Sequence, residues 1–343
     1  VMDFMMKTMV CVAFAAMGAA VWAEERSFVD EYTMAMEIRD SKPDEAYDGL
    51  MRSYRLALAA GDENYAACAV LKACFIRHLQ GRPVECGKTA LAALPEIQSM
   101  VDETLPLGRE RLGQLYGWVS SGFEAEGRLG EAWRMNRATA AVLRGSSGNV
   151  SGDPVPIRVS EIAGMPPMVR IFAWRTFERE AAFLNAVGRT LESKALLDEA
   201  AAVIKKRWPV LSGDERFYAF KVLCSRAMTM NFLGYESESI DEQRTLLGFG
   251  GSPGVSEGSF LILKANILVN RSKWEGPTEE MVEEMRGLDE DLKAEGTVDG
   301  VGRSLPKLEF RLKKSREAAA GIAKDAERKL SRNMRRELLF LYR

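Results

Sequence analysis

His78 is the one histidine of the chain, and that scarcity narrows the chemistry available. Nearly all His-dependent chemistry is removed: no zinc site of the usual His-rich kinds and no Ser-His-Asp triad could be built without that one residue. Phosphate-loop, dinucleotide, HExxH and nucleophile-elbow motifs are absent as well. No metal and no cofactor are expected on these residues. Thiols offer a different chemistry. Cys74 lies seven residues before Gly81 and Cys86 five residues after it. If the flanks of that glycine are antiparallel helices, the two cysteines face each other near the ~5.5–6 Å Cα separation a disulfide tolerates. The same spacing also suits two buried thiols packing as small apolar side chains.

Positioning such residues requires regular elements, and composition allows them. Apolar residues make up 47% of the 343 residues and charged ones 28%, a balance that argues for a folded chain over disorder. A formal net charge of −2 gives no electrostatic case for nucleic acid, which is not expected as a partner. The charge is unevenly spread: from Ser304 to Arg343 there are 12 Lys or Arg against 5 Asp or Glu.

Past Glu24 the apolar residues recur at helical spacing, broken by clusters of Gly, Pro and Asp, with no convincing period-2 strands. Helical hairpins are predicted over 27–60, 63–94, 106–143, 168–207, 214–248 and 257–294, followed by a long helix filling most of 304–343. Pro43-Asp44-Glu45 and Ser212-Gly213-Asp214-Glu215 read as helix starts. Aligning the turn glycines Gly81, Gly127, Gly188 and Gly234 brings the flanks into register. Seven residues before them stand Cys74, Ser120, Ala181 and Ala227; five after stand Cys86, Ala132, Ser193 and Ser239. All of these are small, as two antiparallel helices require where they approach closely. Eleven before the glycines stand Val70, Tyr116, Phe177 and Leu223, and twelve after stand Ala93, Thr139, Ala200 and Leu246.

This pattern resembles the tetratricopeptide repeat, in which a large residue, a small one and an aromatic mark the first helix and a small residue opens the second. Tyr116, Val119, Ser120 and Phe123, leading to Gly127 and Ala132, match it best, and Leu233-Gly234-Tyr235 before Ser239-Ile240 resembles its turn. The glycine-to-glycine steps of 46, 61 and 46 exceed the family's 34, and the extra length of the longest falls mainly in 145–167. The resemblance implies an all-α, TPR-like α-solenoid of five or six hairpins with a concave face lined by first helices. Its exposed slots would hold His78, Glu124, Asn185 and Asn231, and ten residues up the first helix Cys68, Gln114, Arg175 and Lys221. Arg175, Lys221, Asn185 and Asn231 in one groove would suit a peptide carboxylate or an extended acidic segment. A weaker similarity, through Ser41-Lys42-Pro43-Asp44-Glu45-Ala46 and Gly61-Asp62, is to exported repeat regions of bacterial sensor histidine kinases.

The segment Met5 to Ala23 carries one Lys, then an apolar run closing on Val21-Trp22-Ala23. It reads as a signal peptide, residues 1–23, cleaved after Ala23, which makes the protein periplasmic or extracellular. The repeat domain is then 24–303 and the basic amphipathic helix 304–343. The stripe of that helix starts Leu305, Leu308, Leu312, and suits a cap, self-association or peripheral contact with anionic membrane. The expected function is an exported interaction or scaffold module that binds a peptide or protein in its groove, and not an enzyme. The alternatives are a ligand-sensing protein and an (α/α) toroid acting on carbohydrate, which would need paired carboxylates beside stacking aromatics.

Overall fold

The computed structural model describes residues 27–145, 155–294 and 304–329. The expected signal peptide and its cleavage point lie outside the described residues. Among the described residues every regular element is helical: 14 α-helices and one 3-10 turn, with no strand. The fold is all-α, built of successive helical hairpins. The pairs are α1 (Phe28–Ile38) with α2 (Pro43–Ala60), α3 (Glu63–Leu79) with α4 (Pro83–Met100), and α5 (Pro106–Ala125) with α6 (Leu129–Leu143). The short helix α7 (Val159–Gly164) follows. Then come α8 (Pro167–Ala186) with α9 (Thr190–Arg207), α10 (Gly213–Phe232) with α11 (Glu236–Leu247), α12 (Glu257–Trp274) with α13 (Glu279–Ala294), and α14 (Ser304–Lys329).

Two boundaries differ from the sequence reading. Helix α4 continues through Pro95 to Met100. A proline inside a helix removes one hydrogen bond, but Leu94 and Ile97 are buried on either side of it and keep the segment against the core. The stretch 145–167, read as Gly-, Ser- and Pro-rich linker, contains α7, whose Val159 and Ile162 are buried. The predicted starts hold: Pro43 opens α2, and the Ser212 hydroxyl accepts from Glu215 N–H while the Glu215 carboxylate accepts from Ser212 N–H. That reciprocal pair satisfies two of the helix's orphan donors.

The chain divides into two compact units, 1–157 with 164–176 and 158–163 with 177–343. In the first, each helix from α1 to α5 packs on its successor, and α3 also meets α5. Its main core joins Ala57, Val70, Cys74, Ile97, Leu112, Leu115 and Val142, among others. In the second unit α12, α13 and α14 share a core of Leu261, Leu268, Met285, Leu288, Leu292 and Leu308.

The helix crossings carry the register. All eight small residues, Cys74, Cys86, Ser120, Ala132, Ala181, Ser193, Ala227 and Ser239, have 0% exposure. The larger residues aligned with them, Val70, Tyr116, Phe177, Leu223, Ala93, Thr139, Ala200 and Leu246, are buried too. Each crossing is also hydrogen-bonded. The hydroxyl of Ser120 donates to the Ala132 carbonyl (2.7 Å), Ser193 to Ala181 (2.9 Å) and Ser239 to Ala227 (2.7 Å), while the Cys74 thiol reaches the Cys86 carbonyl at 3.6 Å. One partner of each pair therefore has a donor on a side chain short enough to touch the facing backbone. Each hairpin turns at its glycine with positive φ, 70° at Gly81 and 77° at Gly127, which non-glycine residues adopt only at a cost.

A second kind of crossing joins one hairpin to the next. At Gly87 of α4 a Cβ would fall 2.5 Å from the Gly122 Cα of α5, and the reverse holds at 2.6 Å. Only glycine on both sides permits that backbone contact.

Candidate functional site

Between α3 and α5 the first unit carries a cleft of about 310 Å³. From α3 it is lined by Cys68, Leu71, Lys72 and Phe75, and from α5 by Leu107, Glu110, Arg111, Gln114 and Trp118. The helical period explains the set. Cys68, Lys72 and Phe75 stand at i, i+4 and i+7, as do Leu107, Arg111 and Gln114, so each trio forms one stripe. The remaining sides of α3 and α5 pack in the core, through Val70 and Cys74 and through Leu112 and Val119.

Phe75 and Leu107 are each 40% exposed and offer apolar surface side by side in the cleft. Trp118 is 7% exposed and closes one end of the cleft. The His78 ring lies against it at 5.0 Å between centroids, and the Arg175 guanidinium stands over its face at 5.0 Å. A cation over an indole face is attracted by the ring quadrupole. Glu110 accepts a hydrogen bond from Gln114 Nε2 at 2.7 Å. Burial raises the Glu110 carboxyl above its ordinary range, outweighing the opposing pull of Arg111 and of that hydrogen bond. Arg111 lies deeper, 9% exposed, and donates to Asn64 Oδ1 (2.5 Å) and, at 3.9 Å, to the Cys68 sulfur.

Of the residues singled out in the sequence, the structure brings His78 and Arg175 against the Trp118 ring, with Cys68 and Gln114 lining the adjoining cleft. Glu124 is exposed further along α5. The other three belong to the second unit. Asn185 donates to the Thr229 hydroxyl (2.8 Å) and Asn231 to Asn270 Oδ1 (3.1 Å), so both tie neighbouring helices together. Lys221 is exposed, its ammonium over the Phe217 ring at 4.4 Å on the same helix. Cys74 and Cys86 are both free thiols, fully buried. The neighbouring Cys86 side chain and burial push the Cys74 thiol well above its usual range, which suppresses the reactive thiolate.

Phe75, Leu107, Arg111 and Trp118 were not anticipated as site residues. Their signal was available: each lies three, four or seven positions along a helix from a slot already identified, Cys68 or Gln114. Trp118 is largely buried in the core, and its remaining surface faces the cleft.

Among the described residues no three His, Cys, Asp or Glu side chains gather as metal ligands. No helix among them is long and apolar enough to cross a membrane. No protein-family model matches the chain, and comparison with curated proteins finds no relative.

Proposed function

We propose that this chain is an exported interaction module of tetratricopeptide-like kind, which holds an extended segment of a partner polypeptide in the cleft between α3 and α5. The observation that carries the reading is the cleft's composition: exposed Phe75 and Leu107 and the buried edge of Trp118, rimmed by Lys72, Glu110 and Gln114. An extended peptide presents alternating side chains and unpaired backbone amides, and such a surface offers apolar seats beside groups that donate and accept. The small-residue crossings, recurring at fixed offsets within successive hairpins, support the repeat relationship. Export is inferred from the Lys-then-apolar segment ending at Ala23.

Selection from a random dodecapeptide display library on the full-length protein tests this. Sequences enriched on the wild-type protein should lose at least tenfold in binding to Phe75→Glu, which puts a charge among the apolar seats without touching the core. Enriched sequences that bind Phe75→Glu as well as wild type would overturn the reading.

A further inference from the structure

The cleft is lined by a deeply placed cation, Arg111, that feels the nearby Glu110 charge but makes no close ion pair among the described residues. Buried cations are costly unless an anion accompanies them, and two other deeply placed charges here are ion-paired. Arg77, 8% exposed, contacts Asp44 and has Glu85 within 3.4 Å. Glu31, also 8% exposed, is held by Arg52 at 3.0 Å. Arg111 is as deeply placed at 9% exposure, yet its two hydrogen-bond partners, Asn64 and Cys68, are both neutral. Among the described residues no carboxylate stands within 4.0 Å of its guanidinium. Glu110, the acidic residue next to it, is instead turned to Gln114. Lys72 adds a second, exposed positive charge on the facing wall. The Asn64 hydrogen bond holds the Arg111 guanidinium on the cleft side of α5.

From this we infer that the cleft recognises an acidic residue adjoining an apolar one: the carboxylate pairs with Arg111, and the apolar neighbour seats against Phe75, Leu107 and Trp118. The inference rests on the cleft being a polypeptide site. It adds that the partner segment is acidic–apolar, in a protein whose own formal net charge is −2. A guanidinium matches a carboxylate with two parallel hydrogen bonds, and in a partly desolvated cleft that match discriminates strongly against a neutral amide.

The probes are acetyl-Ala-Phe-Asp-Phe-Leu-Ala-amide and its Asp→Asn counterpart, titrated onto the full chain and onto Arg111→Met and Arg111→Lys. The acidic peptide should bind wild type at least tenfold more tightly than the amide. The preference should fall within twofold in Arg111→Met and persist in weakened form in Arg111→Lys. Without peptide, Arg111→Met should melt at or above the wild-type temperature, because it removes a buried charge that makes no close ion pair; an arginine kept for structure would lower it. Equal binding of the two peptides to wild type overturns the acidic preference while leaving a peptide cleft. Binding of neither overturns the preference too, and the library selection then judges the cleft by itself. If 3-phenylpropionate raises the wild-type melting temperature and neither peptide binds, the anion site belongs to a small carboxylic acid and the inference is wrong.

Discussion

At the scale of single residues, side chains of one or two heavy atoms do most of the positioning. Ser120, Ser193 and Ser239 sit where two helices touch, and each hydroxyl donates to a carbonyl across the crossing. A net hydrogen bond of this kind contributes about 1 kcal/mol. Ser120→Ala should therefore destabilise by about 1 kcal/mol in urea titration, while Ser120→Val, which must force the helices apart, should cost about 1–3 kcal/mol more. The Asp44 carboxyl lies below its usual range, first through its hydrogen bond with Arg77 and then through Gln80. Because its folded value is depressed, the contact contributes stability above the unfolded value of about 3.9 and loses it as pH falls through the folded one. The urea midpoint of wild type should fall between about pH 5 and pH 2 by more than that of Asp44→Asn.

At the scale of elements, close approach decides which helices sit side by side. Gly87 and Gly122 let α4 and α5 touch backbone to backbone, and that contact joins the α3–α4 hairpin to the α5–α6 hairpin and so sets the cleft wall. Gly87→Ala should cost about 1–3 kcal/mol in chemical denaturation, despite alanine's better helix propensity; a stabilised variant would show that the helices are not held this closely. The hairpins themselves were legible in the sequence because turn glycines and small crossing residues recur at fixed offsets, and all sixteen aligned positions are buried. The Gly87–Gly122 contact was not legible, since it joins different hairpins and has no counterpart at a repeated offset. The hairpin expected to end at 94 runs on to Met100, because burial of Leu94 and Ile97 outweighs the helix-breaking preference of the Pro95 ring. The cleft was half legible. Slots counted from the turn glycines found Cys68, Gln114, His78 and Arg175. Arg111 escaped because what sets it apart is burial without a close ion pair, a fact of three dimensions.

At the scale of the whole molecule, the two units have separate tasks to account for. The first carries the cleft. In the second, Asn185, Thr229, Asn231, Asn270 and Gln243 link successive helices through their side chains, and the core of α12 and α13 is closed by α14. Leu308 of α14 is 1% exposed there, with Leu305 and Leu312 packed beside it. The start of the C-terminal stripe thus covers the last hairpin, as a terminal cap would; by residues 313–320 the helix is exposed. Leu308→Ala should cost about 2–4 kcal/mol by loss of buried volume, measured by thermal or urea unfolding. A change within 0.5 kcal/mol would mean that α14 contributes little to that core.

The most direct test of the central claim, that a partner polypeptide lies in the α3–α5 cleft, is site-specific photo-crosslinking in the cells that make the protein. Benzoylphenylalanine is placed at Phe75, at Leu107, or at Leu191, a 67% exposed leucine of the second unit. The account predicts that Phe75 and Leu107 capture the same polypeptide through an acidic–apolar stretch and that Leu191 does not capture it. Capture of unrelated species from Phe75 and Leu107, or of the same species from all three positions, would contradict it.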